Sequence, residues 1–108
     1  MTRRRVDANQ GRIVAALERI GATVVDLHTV GGGCPDLLAG YRGINYALEV
    51  KDGAKPPSRR KVRPGVQATF HQTWRGQIDV VCTELEAIAV VTGNRARPQA
   101  GFGVVVLP

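Results

Sequence analysis

Asp36, Glu49 and Lys51 are the residues whose types and spacing could do chemistry in this chain. Asp36 follows Pro35, and Glu49 and Lys51 stand two apart in Glu49-Val50-Lys51. Two carboxylates offer hard oxygen donors that leave coordination positions open, which suits Mg²⁺ or Mn²⁺ better than zinc. An ion held there can polarise a phosphate and activate a water for in-line attack. The Lys51 ammonium would orient that water or neutralise charge building on the phosphate. The backbone carbonyl of Val50 points sideways from an extended strand and is a candidate further ligand. The expected chemistry is metal-dependent hydrolysis of a phosphodiester.

That chemistry makes a demand on the strands that carry it. In an extended Asn45–Lys51 segment, Tyr46, Leu48 and Val50 face one way while Glu49 and Lys51 face the other. Leu37–Tyr41 precedes it and reads as its hairpin partner, with a turn around Arg42-Gly43. A two-residue loop sets Asp36 opposite Glu49; a four-residue loop sets it opposite Lys51. Either even length brings all three groups to one face. An odd length sends Asp36 to the reverse face and abolishes the site. Two carboxylates placed opposite each other repel unless positive charge lies between them.

The surrounding elements follow from pattern. Asp7 and Gln10 have the spacing of a capping box, Ile13, Ala16, Leu17 and Ile20 form a helical stripe, and Gly21 is a stop, so a helix is expected from Ala8 to Ile20. Thr23 to Leu27 is apolar and β-branched and reads as a strand. Asp52 to Pro64 holds three prolines and the cations Lys55, Arg59, Arg60, Lys61 and Arg63, and reads as a loop. Gly65 to Trp74 reads as a second helix with Val66, Phe70 and Trp74 on one stripe; Trp74 is expected to anchor the core. Ile78 to Thr83 reads as a fourth strand and Glu84 to Val91 as a third helix. Residues 1–92 are expected to form one α/β domain with a mixed sheet, and 93–108 a tail in which Gly103 to Leu107 could add a strand.

Composition sets the bounds. At 108 residues, 44% hydrophobic and 22% charged, the chain suits one globular domain. Fifteen Lys and Arg against nine Asp and Glu give a net charge of +6, which points to a polyanionic partner. Arg3, Arg4 and Arg5 join the cations of the Lys55–Arg63 segment as candidate phosphate contacts. No apolar run approaches the roughly 20 residues of a membrane helix. No signal core follows the N-terminal arginines, so a cytoplasmic location is expected. Cys34 and Cys82 make no disulfide framework and no zinc spacing, and two reduced thiols are expected. The run Gly31-Gly32-Gly33 lacks the lysine and the helix of a phosphate loop; Gly32 and Gly33 are read instead as backbone that a substrate strand approaches closely.

Taken together, Gly-Gly-Gly-Cys-Pro-Asp-Leu-Leu, Leu-Glu-Val-Lys-Asp-Gly and the later Pro64, Gln67, His71 and Trp74 resemble the PD-(D/E)xK nucleases, and more narrowly the small stand-alone VRR-NUC proteins often encoded by phages. The resemblance runs from Asp7 to Val91. It implies a restriction-endonuclease-like αβββαβ core and a divalent-metal phosphodiesterase. It also implies a homodimer acting on branched DNA such as four-way (Holliday) junctions. By position it makes Asp36 and Glu49 metal ligands, Lys51 the catalytic lysine and Gln67 the glutamine that supports them. Many relatives also carry a first-helix glutamate that helps bind metal. Gly11 and Arg12 stand near that place here, and Asn9 and Gln10 are the nearest polar groups, able to reach the site through a water.

Other candidates are weaker. His28 is expected to be structural, and His71, one turn beyond Gln67, is a candidate phosphate contact. Two competing functions stay open beside junction cleavage. One is a nucleic-acid-binding module without catalysis, motivated by the missing first-helix acid. The other is a restriction-type nuclease on ordinary duplex. No helix-turn-helix or zinc-finger spacing supports sequence-specific reading.

Overall fold

A computed structural model describes residues 8–54 and 62–93. The order is α1 (Gln10–Arg19), β1 (Thr23–Asp26), β2 (Leu37–Tyr41), β3 (Ile44–Val50), α2 (Val66–Thr73), β4 (Asp79–Val81) and α3 (Glu84–Thr92). The four strands form one sheet in the order β1-β2-β3-β4, with β1, β2 and β3 antiparallel in turn and β4 parallel to β3. This is the mixed α/β architecture expected from the sequence.

The β2–β3 hairpin fixes the geometry of everything else. Tyr41 pairs with Ile44, so the connecting loop is the two residues Arg42 and Gly43. Both have positive φ, 50° and 83°, which is the twist a two-residue hairpin turn needs. Leu37 pairs with Leu48, so Asp36 precedes the ladder at the level of Glu49. Of the even-length loops the sequence allows, the shorter is the one formed.

One face of this sheet is the core. Leu37, Ala39, Leu48, Val50 and Val81 pack with Ile13 and Leu17 of α1 and with Ala87, Val90 and Val91 of α3. The α1 stripe stops in a Schellman turn: Gly21, at φ 101°, donates to Glu18 O, and Ala22 N donates to Leu17 O. Thr83 caps α3 by accepting the Glu86 N–H at 3.1 Å, while the Glu86 carboxylate takes the Cys82 N–H. Thr83 therefore belongs to the cap and not to the strand, and β4 ends earlier than its sequence suggests.

Two expectations need correction. The first helix begins at Gln10 with Asn9 at its N-cap, and Asn9 makes no side-chain bond to the helix. Asp7, the expected cap, lies outside the described residues, as do Arg3, Arg4, Arg5, Lys55, Arg59, Arg60, Lys61 and the 94–108 tail. Second, Trp74 is no core anchor. It is 48% exposed, stacks on Phe70 with ring centroids 5.1 Å apart, and donates its indole N–H to Gln77 O. Val66 is exposed as well, and no residue of α2 is buried. The helix turns Gln67 toward the sheet and leaves Val66 and Trp74 outward, with Phe70 half-buried against Gly33.

Candidate active site

Period-two alternation sends Glu49 and Lys51 to the face opposite Leu48 and Val50, where Gln67 of α2 meets them. Asp36, Glu49 and Lys51 are all buried, at 6%, 2% and 6% exposure. Ionisable groups at such depth persist only when paired or hydrogen-bonded. Hydrogen bonds reach all three.

Asp36 closes two strands at once. Its carbonyl accepts the Leu27 N–H at 2.7 Å, extending the β1–β2 ladder, and its Oδ2 accepts the Val50 N–H at 2.8 Å across the hairpin. The Lys51 Nζ donates to Gln67 Oε1 at 3.0 Å and lies 3.4 Å from Glu49 Oε2. Gln67 completes a triangle by donating from Nε2 to Glu49 Oε2 at 2.8 Å. The same Gln67 Oε1 accepts the backbone N–H of Arg63 at 2.7 Å, which ties the end of the cationic segment to the site. Arg63 keeps an exposed position, as a phosphate contact requires.

The electrostatics around Glu49 favour added positive charge. Burial, then the neighbouring Asp36 carboxylate, raise the Glu49 carboxyl to about 7, against the lowering pull of Lys51. Glu49 Oε1 is buried with no hydrogen-bond partner. An orphaned carboxylate oxygen beside a second carboxylate is a hard-donor set that fits a divalent cation of the Mg²⁺ or Mn²⁺ type. Among the described residues no group of three or more His, Cys, Asp or Glu converges. A cation held here would find two protein carboxylates, too few to close a structural zinc site.

The start of α1 lies closer than its sequence suggested. Asn9 touches the site strand directly, its Nδ2 donating to Lys51 O at 3.0 Å and to Cys82 O at 2.8 Å. Gln10 donates to Asp26 Oδ2 at 3.2 Å. Both residues are buried, and Asn9 Oδ1 and Gln10 Oε1 have no partner. The signal for them in the sequence is a pair of amides just ahead of the apolar stripe.

The remaining candidates divide. His28 bonds Asp26 through both its backbone N–H and Nδ1, a local structural role. His71 Nε2 is buried without a partner, and burial, then the Lys51 charge, lower its pKa and favour the neutral ring. Gly33 is buried because α2 crosses it: a Cβ there would come within 2.4 Å of Val66 O and 3.0 Å of Phe70 Cβ. That crossing and its φ of 81° explain its need for glycine. Gly32, exposed at φ 66° with nothing near its Cβ position, remains open to a ligand. Among the described residues no helix is long and apolar enough to cross a membrane.

No family model matches this chain, and no curated protein does. A solved structure titled "VRR_NUC domain" is similar to it, with a TM-score of 0.55 and 26% sequence identity over 80% of this chain and 97% of that one. The similarity spans nearly the whole of that domain and carries the same mixed α/β layout.

Proposed function

We propose, from the premise that this chain is a VRR-NUC-like domain of the PD-(D/E)xK nuclease fold, that it is a divalent-metal-dependent endonuclease acting on structured DNA, with four-way junctions the preferred class. The observation that carries this reading is the convergence of Asp36, Glu49 and Lys51 on one buried face, braced by Gln67.

Asp36, Glu49 and the Val50 carbonyl would hold Mg²⁺ or Mn²⁺, which supplies Lewis-acid polarisation of the phosphate and lowers the pKa of a water. The chain's own residues do the rest. Gln67 holds the Lys51 ammonium at the mouth of the acid pair, aimed where negative charge gathers on the phosphate. Asp36 is fixed by Val50, so its carboxylate meets a cation without reorganising. Arg63, Gly32 and the cations Arg3, Arg4, Arg5, Lys55, Arg59, Arg60 and Lys61 contact the DNA backbone, giving shape-dependent, salt-sensitive binding. A twofold homodimer would present two such sites for paired cuts across a junction, in the cytoplasm of a bacterial cell.

The test is a cleavage panel of four-way junction, flap and linear duplex, each with Mg²⁺, Mn²⁺ or EDTA, beside Asp36→Ala and Lys51→Ala. Junction cutting that falls to a trace in both variants while DNA binding persists supports the reading. Equal cutting of linear duplex points to a restriction-type enzyme. Binding with no cutting under any metal points to a DNA-binding module, the reading favoured by the net charge of +6 and the missing first-helix acid.

A further inference from the structure

We propose that Asn9 is a positioning residue for Lys51: its side-chain amide clasps the carbonyls that end β3 and β4 and thereby aims the Lys51 ammonium. The inference rests on the nuclease reading for its catalytic consequence and on geometry alone for the clasp.

An asparagine at a helix N-cap ordinarily turns its side chain back onto the N–H groups of its own first turn. Asn9 does not. Its backbone carbonyl starts α1 by accepting the Ile13 N–H at 3.1 Å, while its Nδ2 points away to Lys51 O at 3.0 Å and Cys82 O at 2.8 Å. One NH₂ group thus meets two carbonyls just past the ends of two strands, 42 and 73 residues away in sequence. The amide orientation is forced, since an oxygen in that place would face two other oxygens.

Lys51 sits where the sheet ends. Its N–H still donates to Val81 O at 3.0 Å in the parallel manner, but the next residues leave in a turn closed by Asp52. Without Asn9 the Lys51 carbonyl loses its bond to α1, at the one residue whose side chain must hold a fixed direction toward Glu49 and Gln67. Asn9 itself is 2% exposed, so its bonds are made in a setting where they are not exchanged with water. Gln10 next to it holds Asp26 on the far strand of the sheet, so the start of α1 braces the site end from both sides.

The experiment compares the full chain with Asn9→Ala and with Asn9→Asp, an isostere that cannot donate. The first readout is made without metal or DNA: NMR of the Lys51 amide and of its side-chain ammonium. Both variants are expected to exchange the Lys51 amide roughly tenfold faster and to shift the ammonium resonance, with the signals of the Arg42-Gly43 turn unmoved. The second readout is junction cleavage, with kcat expected to fall about 10–100-fold and KM to stay within about twofold. In a Lys51→Ala background Asn9→Ala should cost almost nothing more, because it acts through Lys51. Unchanged Lys51 resonances in both variants, or kcat losses that multiply in the double variant, overturn the proposal. If the wild-type chain cuts no substrate, the nuclease reading falls and the resonances alone decide the clasp.

Discussion

The Asp36 carboxylate accepts the Val50 backbone N–H at 2.8 Å, across the hairpin and out of reach of solvent. The bond separates two roles of one residue, since shape alone can serve Val50 but charge is needed for a cation. Asp36→Asn can still present an oxygen to that N–H and is expected to unfold in urea within about 1 kcal/mol of wild type. Asp36→Ala leaves a buried N–H unsatisfied and is expected to lose about 1–3 kcal/mol. Calorimetric titration with Mn²⁺ should show binding lost in both.

Glu49 makes stability depend on pH in an unusual direction. Its carboxyl rises from 4.5 to about 7 on folding, chiefly by burial and then by Asp36. Between those values the folded chain binds more protons than the unfolded one. The contribution is therefore complete below about 4.5 and lost as pH climbs through 7. It amounts to about 3 kcal/mol for the metal-free protein. Denaturant melts across pH 4–8 should show this decline, and Glu49→Gln should flatten it. Cation affinity runs the other way, weakening up to about tenfold per unit below pH 7 as protons compete.

Gln67 supports both Lys51 and Glu49 through one side chain. Gln67→Leu keeps the volume and removes every bond. Cleavage is expected to drop about 10–100-fold while junction affinity in a gel-shift titration stays level. An equal loss in both measurements would mean that Gln67 binds DNA and does not brace the site.

The glycine run offers an internal control. Gly33→Ala drives a methyl into the Val66 carbonyl and is expected to cost about 2–4 kcal/mol and to weaken cleavage by displacing α2. Gly32→Ala meets nothing and bears only the strain of its positive φ, about 1 kcal/mol. Paired thermal melts distinguish the two.

How far the site is legible in the sequence depends on which interactions are local. The hairpin is legible because Arg42-Gly43 suits a turn with two positive φ angles and strand alternation then fixes which side Glu49 and Lys51 share. The capped α3 and the α1 stripe are legible for the same reason. The Asn9 clasp is not, because nothing in a helix-start amide says which distant carbonyl it will meet. Trp74 misleads because a large aromatic on a stripe looks like core. Its helix lies over polar groups, and the ring instead packs along its own helix on Phe70. Gly33 looks like a ligand loop because the pressure on it comes from α2, more than thirty positions downstream.

The absence of buried residues in α2 has a kinetic consequence. This helix is fastened to the sheet by Gln67 and by its seat on Gly33, with little oily contact beneath it. Partial opening should begin there, well below the free energy of global unfolding, and its amides should lose protection before those of β2 and β3. Among the described residues the candidate centre and a weak latch are then one object, so that a cation or substrate engaging the acids would also fasten the helix above them.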